Sequence, residues 1–405
     1  MTNTLLVQIS NIERPKANSF LELLINLWRL TVSTIVFVHG VSTRTTPSYG
    51  IETENRNSLF KTAVFGDAST IISPMWGDHV PQLLFDGASF RKSETLDLAI
   101  GDPTPQHADD TVVLPAIAKE APSSALDLLI SERIRMADNG QQPLSPEDLA
   151  LFGRIVDLLE AETQNPSEVT AALQGLQAAA TDQEFVSEVN KLSDAPHHLG
   201  IVDMLTSAKD AIVDRAANLT AKGLHSTVVE RLNPTVARFL GDVFVYLKEG
   251  KIREEIRTTV GGAIRTAWED RNGGKVVLIG HSLGGVILYD MLSDLKSANL
   301  PLDLKVDALI TVGSQPGLFQ ELGLFESTAS LPAKTAAKGP DAASLWFNVF
   351  DPIDVFGFSA KPMFARAEDY SFNTITGLAS AHSAYFTRPQ FYARLRRRLA
   401  DAGVI

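Results

Sequence analysis

The chain has 405 residues, enough for about two to three domains or for one large domain carrying an insertion. Apolar residues make up 44% and charged residues 21%, which excludes wholesale disorder. Lys plus Arg is 36 against 48 Asp plus Glu, so the net charge of −12 speaks against nucleic acid or an anionic membrane surface as partner. There is no cysteine, which excludes disulfides, Cys-ligated zinc, iron–sulfur clusters and a cysteine nucleophile, and fits a reducing, cytoplasmic setting.

Residues 1–30 read as an extension, with an amphipathic helix over residues 20–30. The apolar run at 20–38 is interrupted by Glu22, Asn26 and Arg29 and never reaches about 18 uninterrupted apolar residues, so no integral membrane segment is expected. No small-residue cleavage site follows, because the run leads straight into Val38-His39-Gly40. Four short β-branched runs predict buried strands: Thr34–Val38, Val276–Ile279, Ala308–Val312 and Leu345–Val349. A weaker strand, Thr70–Ser73, leads into Pro74-Met75-Trp76-Gly77-Asp78. Continuous rather than alternating apolar runs point to a predominantly parallel sheet with helices on both faces.

Between the early and late strands the pattern changes. From about 95 to 270 there is little strand signal and much helix signal. Ser145-Pro146-Glu147-Asp148 supplies an N-cap, a proline at the first helical position and early acids. Leu149, Phe152, Ile155, Val156 and Leu159 follow at helical spacing. Thr181-Asp182-Gln183-Glu184 reads as a capping box, and Ile201, Val202, Leu205, Ala208 and Ile212 form another stripe. Residues 234–248 and 251–270 predict two further helices. The expected organisation is a core in two parts, 31–94 and 235–405, split by a helical insertion at 95–234 whose stripes pack between its own helices.

The chemistry lies in Gly280-His281-Ser282-Leu283-Gly284-Gly285, which fits G-x-S-x-G between a strand and a helix. A serine on such a turn is held strained, with its hydroxyl presented above the sheet edge. Gly280 and Gly284 flank it because side chains there would clash across the turn, and the Leu283 N–H at the helix start can stabilise an oxyanion. A serine nucleophile needs a base and an orienting acid, which in this architecture follow in the order Ser, acid, His. Of eight histidines only His382 lies beyond Ser282, so elimination selects it. Twelve carboxylates follow Ser282, but only Asp351 and Asp354 lie on a loop just past a predicted strand, and chain geometry does not separate them. After the first core strand, Gly40 lets the loop approach closely, Val41 can supply a second oxyanion N–H, and His39 reads as a ring bracing that loop.

Together these residues resemble the α/β-hydrolase superfamily, and more narrowly the bacterial lipase-like serine hydrolases akin to GPI-inositol-deacylase-like and class 3 lipases. The resemblance covers about 31–80 and 270–395. It implies an α/β-hydrolase fold with the insertion as a cap, ester hydrolysis through an acyl-enzyme, and Ser282 as nucleophile with His382 as base. It favours Asp354 over Asp351 as the acid and makes Val41 and Leu283 the oxyanion donors. It calls for no metal and no cofactor. The expected substrate is a small-molecule or lipid ester, and the insertion offers a surface for a second copy or a protein partner. Two other readings of the scaffold are a non-hydrolysing ligand receptor and a lipase effector or toxin held silent by the helical module. Asp78 with His79 offers too few ligands for a metal, His197-His198 reads as a solvated turn, and Arg394, Arg396, Arg397 and Arg398 read as a surface patch.

Overall fold

The computed structural model describes residues 33–80, 114–164, 173–192, 239–248, 250–376 and 380–405. The expected helix at 20–30, the stripe at 201–212 and His197-His198 lie outside them.

Six strands form one sheet: β1 (Ser33–Val38), β2 (Thr70–Ile72), β3 (Lys275–His281), β4 (Val306–Val312), β5 (Ala343–Phe350) and β6 (Ala367–Ser371). The order is β2-β1-β3-β4-β5-β6, and every pairing is parallel. All six residues of β1 are buried, as expected of a strand covered on both faces. The strand Ala367–Ser371 escaped the sequence reading. It is an edge strand with Glu368 and Asp369 in its middle, so it lacks the apolar signature of its neighbours.

The order places the topological switch. From β1 the chain goes to β2 on one side, then returns to place β3, β4, β5 and β6 successively on the other. The carboxyl ends of β1 and β3 therefore flank the crevice where ligands of open α/β sheets bind. Those ends carry His39-Gly40 and Ser282. Strands from before and after residues 95–234 share this sheet, with Thr34 beside Val276 and Val38 beside Gly280.

Side chains alternate between two cores, as a strand period of two requires. Ile35, Phe37, Val277, Ile279 and Ile310 face one cluster, whereas Val36, Val38, Val276, Leu278 and Leu309 face the other. The second cluster is closed by helices Lys251–Glu269 and Leu283–Ser293. The first is closed by helices Pro47–Phe60 and Pro389–Asp401 and by described parts of the insertion.

That last point differs from expectation. The stripe Phe152, Ile155, Val156 and Leu159 on helix Pro146–Gln164 joins the sheet-face cluster instead of packing only within the insertion. Phe152 meets Tyr392 edge-on at 5.2 Å. On helix Pro122–Asn139, Asp127 pairs with buried Arg388 and accepts from the Gln390 N–H at 2.9 Å. Arg396 is not on the surface: it is buried, pairs with Asp157 at 2.8 Å and with Glu160, and donates to the Ala63 carbonyl. Among the described residues, no helix is long and apolar enough to cross a membrane.

Candidate active site

Strand β3 ends at His281 and a helix begins at Leu283, so Ser282 must turn the chain in one residue. It does so with φ 52° and ψ −128°, a conformation that costs a non-glycine residue on the order of 1–3 kcal/mol. Neighbours hold the turn. The Ser282 N–H donates to the Val312 carbonyl (3.0 Å), and its own carbonyl accepts from the Gly285 N–H (3.1 Å) and Ser314 Oγ (2.6 Å). No motif or spacing marks Ser314. A Cβ at Gly284 would lie 2.2 Å from the Val38 carbonyl oxygen, and one at Gly280 would lie 2.4 Å from Gly285 Cα. Side chains are sterically excluded at both sites.

The loop after β1 presses on the same turn. A Cβ at Gly40 would stand 2.7 Å from the Ser282 Cβ. His39 is buried, and its Nδ1–H donates to the Gly40 carbonyl at 2.8 Å. Its ring stacks on Trp76 with centroids 4.8 Å apart, and Trp76 Nε1 donates to the His39 carbonyl at 2.9 Å. Burial lowers the His39 pKa to about 3, so the ring is neutral and braces the loop.

The two candidate acids follow β5 on one loop and have different tasks. Asp354 meets His382, with Nδ1 2.9 Å from Oδ2 and 3.1 Å from Oδ1. It also accepts from the Phe356 N–H (2.9 Å) and the Tyr385 hydroxyl (2.8 Å). Asp351 does not reach His382. Its carboxylate accepts from the N–H groups of Ile353 (3.0 Å) and Thr374 (2.7 Å) and from Thr374 Oγ1 (2.7 Å). Burial works to raise the Asp354 pKa, but the His382 hydrogen bond and charge, with the Phe356 N–H and Tyr385 hydroxyl, hold it below the usual carboxylate range.

Two aromatic residues tie the halves together. Tyr385 donates to Asp354 and accepts from the Asp351 N–H at 2.8 Å, so one hydroxyl links both aspartates. Burial, then the nearby Asp354 charge, raises its pKa well above that of an ordinary tyrosine, and it remains a donor. His281 donates from Nε2 to the His382 carbonyl at 2.8 Å, and the two rings lie 4.8 Å apart. Burial and His382 lower the His281 pKa to about 3. Neither residue was marked by the sequence, although Tyr385 stands three places after His382 and His281 just before Ser282. Ser282 Oγ and His382 Nε2 are both buried without a hydrogen-bond partner. Leu283 follows the serine directly at the helix start, and Val41 follows Gly40 on the loop after β1. Among the described residues, no group of three or more His, Asp or Glu could hold a metal.

Two curated proteins are similar to part of this chain. One, from Saccharomyces cerevisiae, is named a probable mitochondrial phospholipase and is 25% identical over 266 residues, 60% of this chain and 36% of its own length. The other, from Schizosaccharomyces pombe, carries the same description and is 27% identical over 109 residues, 23% of this chain and 14% of its own. The chain thus spans only about a third or less of the curated relatives it matches. No family model matches, and no solved structure matches. The relatives' names are consistent with a lipase-like hydrolase. They also carry the word mitochondrial, a location the composition had not suggested.

Proposed function

We propose that this chain is a serine hydrolase of the α/β-hydrolase superfamily that cleaves carboxylic esters of lipids, phospholipids among them, through an acyl-enzyme. The carrying observation is the strained Ser282 turn at the sheet's switch point, next in the chain to His281, which holds the carbonyl of a His382 whose Nδ1 meets Asp354. In this reading residues 31–94 and 235–405 make the hydrolase core and 95–234 an insertion. The phospholipid class is drawn from the names of the two fungal relatives.

The residues divide the work as follows. Asp354 fixes the His382 tautomer with the proton on Nδ1, which leaves Nε2 free to take the Ser282 proton. Ser282 Oγ attacks the ester carbonyl, and the N–H groups of Val41 and Leu283 stabilise the oxyanion, each worth roughly 3–4 kcal/mol. His382 returns the proton to the leaving alkoxide. Water, deprotonated by the same ring, then attacks the acyl-enzyme and frees Ser282. Asp354, kept ionised in its buried site, stabilises the imidazolium at both steps.

The test uses Ser282→Ala. The wild type is expected to hydrolyse p-nitrophenyl esters and phospholipid vesicles and to be labelled by a fluorophosphonate. The variant is expected to lose all three, and labelling that persists in it would sink the assignment.

A further inference from the structure

The loop after β1, which carries Val41, is fastened at three places. Two anchors come from the segment just past β2. Trp76 donates to the His39 carbonyl, and Asp78 Oδ1 accepts from the Thr45 N–H at 2.8 Å. The third comes from 200 positions further along the chain. Asp242, 5% exposed, lies in the helical residues 239–247. Its Oδ2 accepts from the Ser42 N–H at 2.8 Å, and its Oδ1 accepts from Arg44 at 3.1 Å.

Ser42 is the residue immediately after Val41, and its φ of 61° is left-handed. A serine stays there only when its surroundings insist, because its Cβ crowds the following carbonyl. The Asp242 hydrogen bond supplies that insistence. It fixes the Val41–Ser42 peptide, and Gly40 packed on Ser282 fixes the chain just before Val41. The Val41 amide between them is therefore aimed from both sides. A lone carboxylate here would oppose the negative charge that develops on the substrate, but Arg44 neutralises it.

We propose that Asp242 is a positioning residue for the oxyanion loop: it touches no substrate and acts by holding Ser42 so that the Val41 N–H points at the reacting carbonyl. The same helical segment reaches the other flank of the site. Phe239 packs on Phe356 with centroids 4.6 Å apart, and Phe356 meets His382 at 4.9 Å. A side chain from the helical segment just past residue 234 thus governs a donor that the first strand presents.

This inference rests on the hydrolase reading, and the experiment separates the two. Wild type, Asp242→Ala, Asp242→Asn and Asp242→Glu are compared for thermal melting, kcat and KM on a p-nitrophenyl ester, and rate of fluorophosphonate labelling. Asn keeps an acceptor for the Ser42 N–H, whereas Glu keeps the charge and displaces the acceptor by one methylene. Ala and Glu are expected to lose about 10- to 100-fold in kcat and in labelling rate with KM little changed, and Asn to recover most of it. If Ala does not fold, Glu against Asn carries the comparison. Wild-type kcat in the Glu variant, a loss confined to KM, or an Asn variant no better than Glu overturns the proposal. A wild type that is never labelled ends the hydrolase reading instead.

Discussion

On the Ser282 side of the site, what is held is backbone, and much of the holding is close main-chain packing. Gly40 and Gly284 let main chains approach to distances that no side chain would permit, and Ser282 is fixed through its own N–H and carbonyl. On the His382 side, side chains do the holding. Tyr385 bridges two aspartates, Thr374 occupies Asp351, and His281 grips the His382 carbonyl. The difference follows from the tasks. In the proposed reading an oxyanion donor must be rigid and can be an amide, so close main-chain packing carries much of the work, fastened by the side chains of Trp76 and Asp242. A base must carry a proton between two partners, so its orientation is set by hydrogen bonds that hold the ring and leave Nε2 free.

The largest effect is expected on the side-chain half. Asp354→Asn should lower kcat by about 10⁴-fold, because the amide cannot hold the same His382 tautomer. Asp351→Asn should cost far less in kcat and show itself mainly as a lower melting temperature. Equal losses in both variants would erase the distinction between the two aspartates. On the backbone half, Gly40→Ala should cost about 100-fold in kcat, since the new methyl would have to displace the loop or Ser282. A fully active alanine variant would mean that this half tolerates movement after all.

The smallest effect concerns a feature common to both halves: each contains a buried neutral histidine. His39 and His281 have pKa values lowered from 6.5 to about 3, so the unfolded chain takes up protons that the folded one refuses. Their contribution to stability is complete above about pH 6.5 and is lost as the pH falls towards 3. Melting temperature should therefore fall as the pH drops below about 6.5, and His281→Gln should fall less steeply. An unchanged slope in that variant would place the acid sensitivity elsewhere.

The sequence carried the backbone half more fully than the side-chain half. Gly280, Gly284 and Gly40 announce close approach because glycine is the residue that permits it, and β1, β3, β4 and β5 announce themselves by apolar runs. The choice between Asp351 and Asp354 lay in partners distant along the chain, Thr374 and His382, and no local pattern encodes them. Tyr385, Ser314 and Asp242 were silent for the same reason. The described residues between 114 and 192 were legible as helices, but where their stripes pack was not. An amphipathic stripe gives the fact of burial and leaves the burying surface open, which here is shared with the face of the sheet.

The pairing of β1 with β3 has a price in time. Thr34 lies beside Val276, and His382 joins His281 from a further 101 positions on. Synthesis at about 5–20 residues per second leaves β1 without its β3 neighbour for roughly 10–50 s while the insertion emerges. Throughout that interval an apolar strand with an open edge must be kept from pairing with other chains. In the proposed hydrolase reading, Ser282 has no base until residue 382 has docked. A half-made chain therefore exposes an unpaired strand well before it can carry the proposed activity.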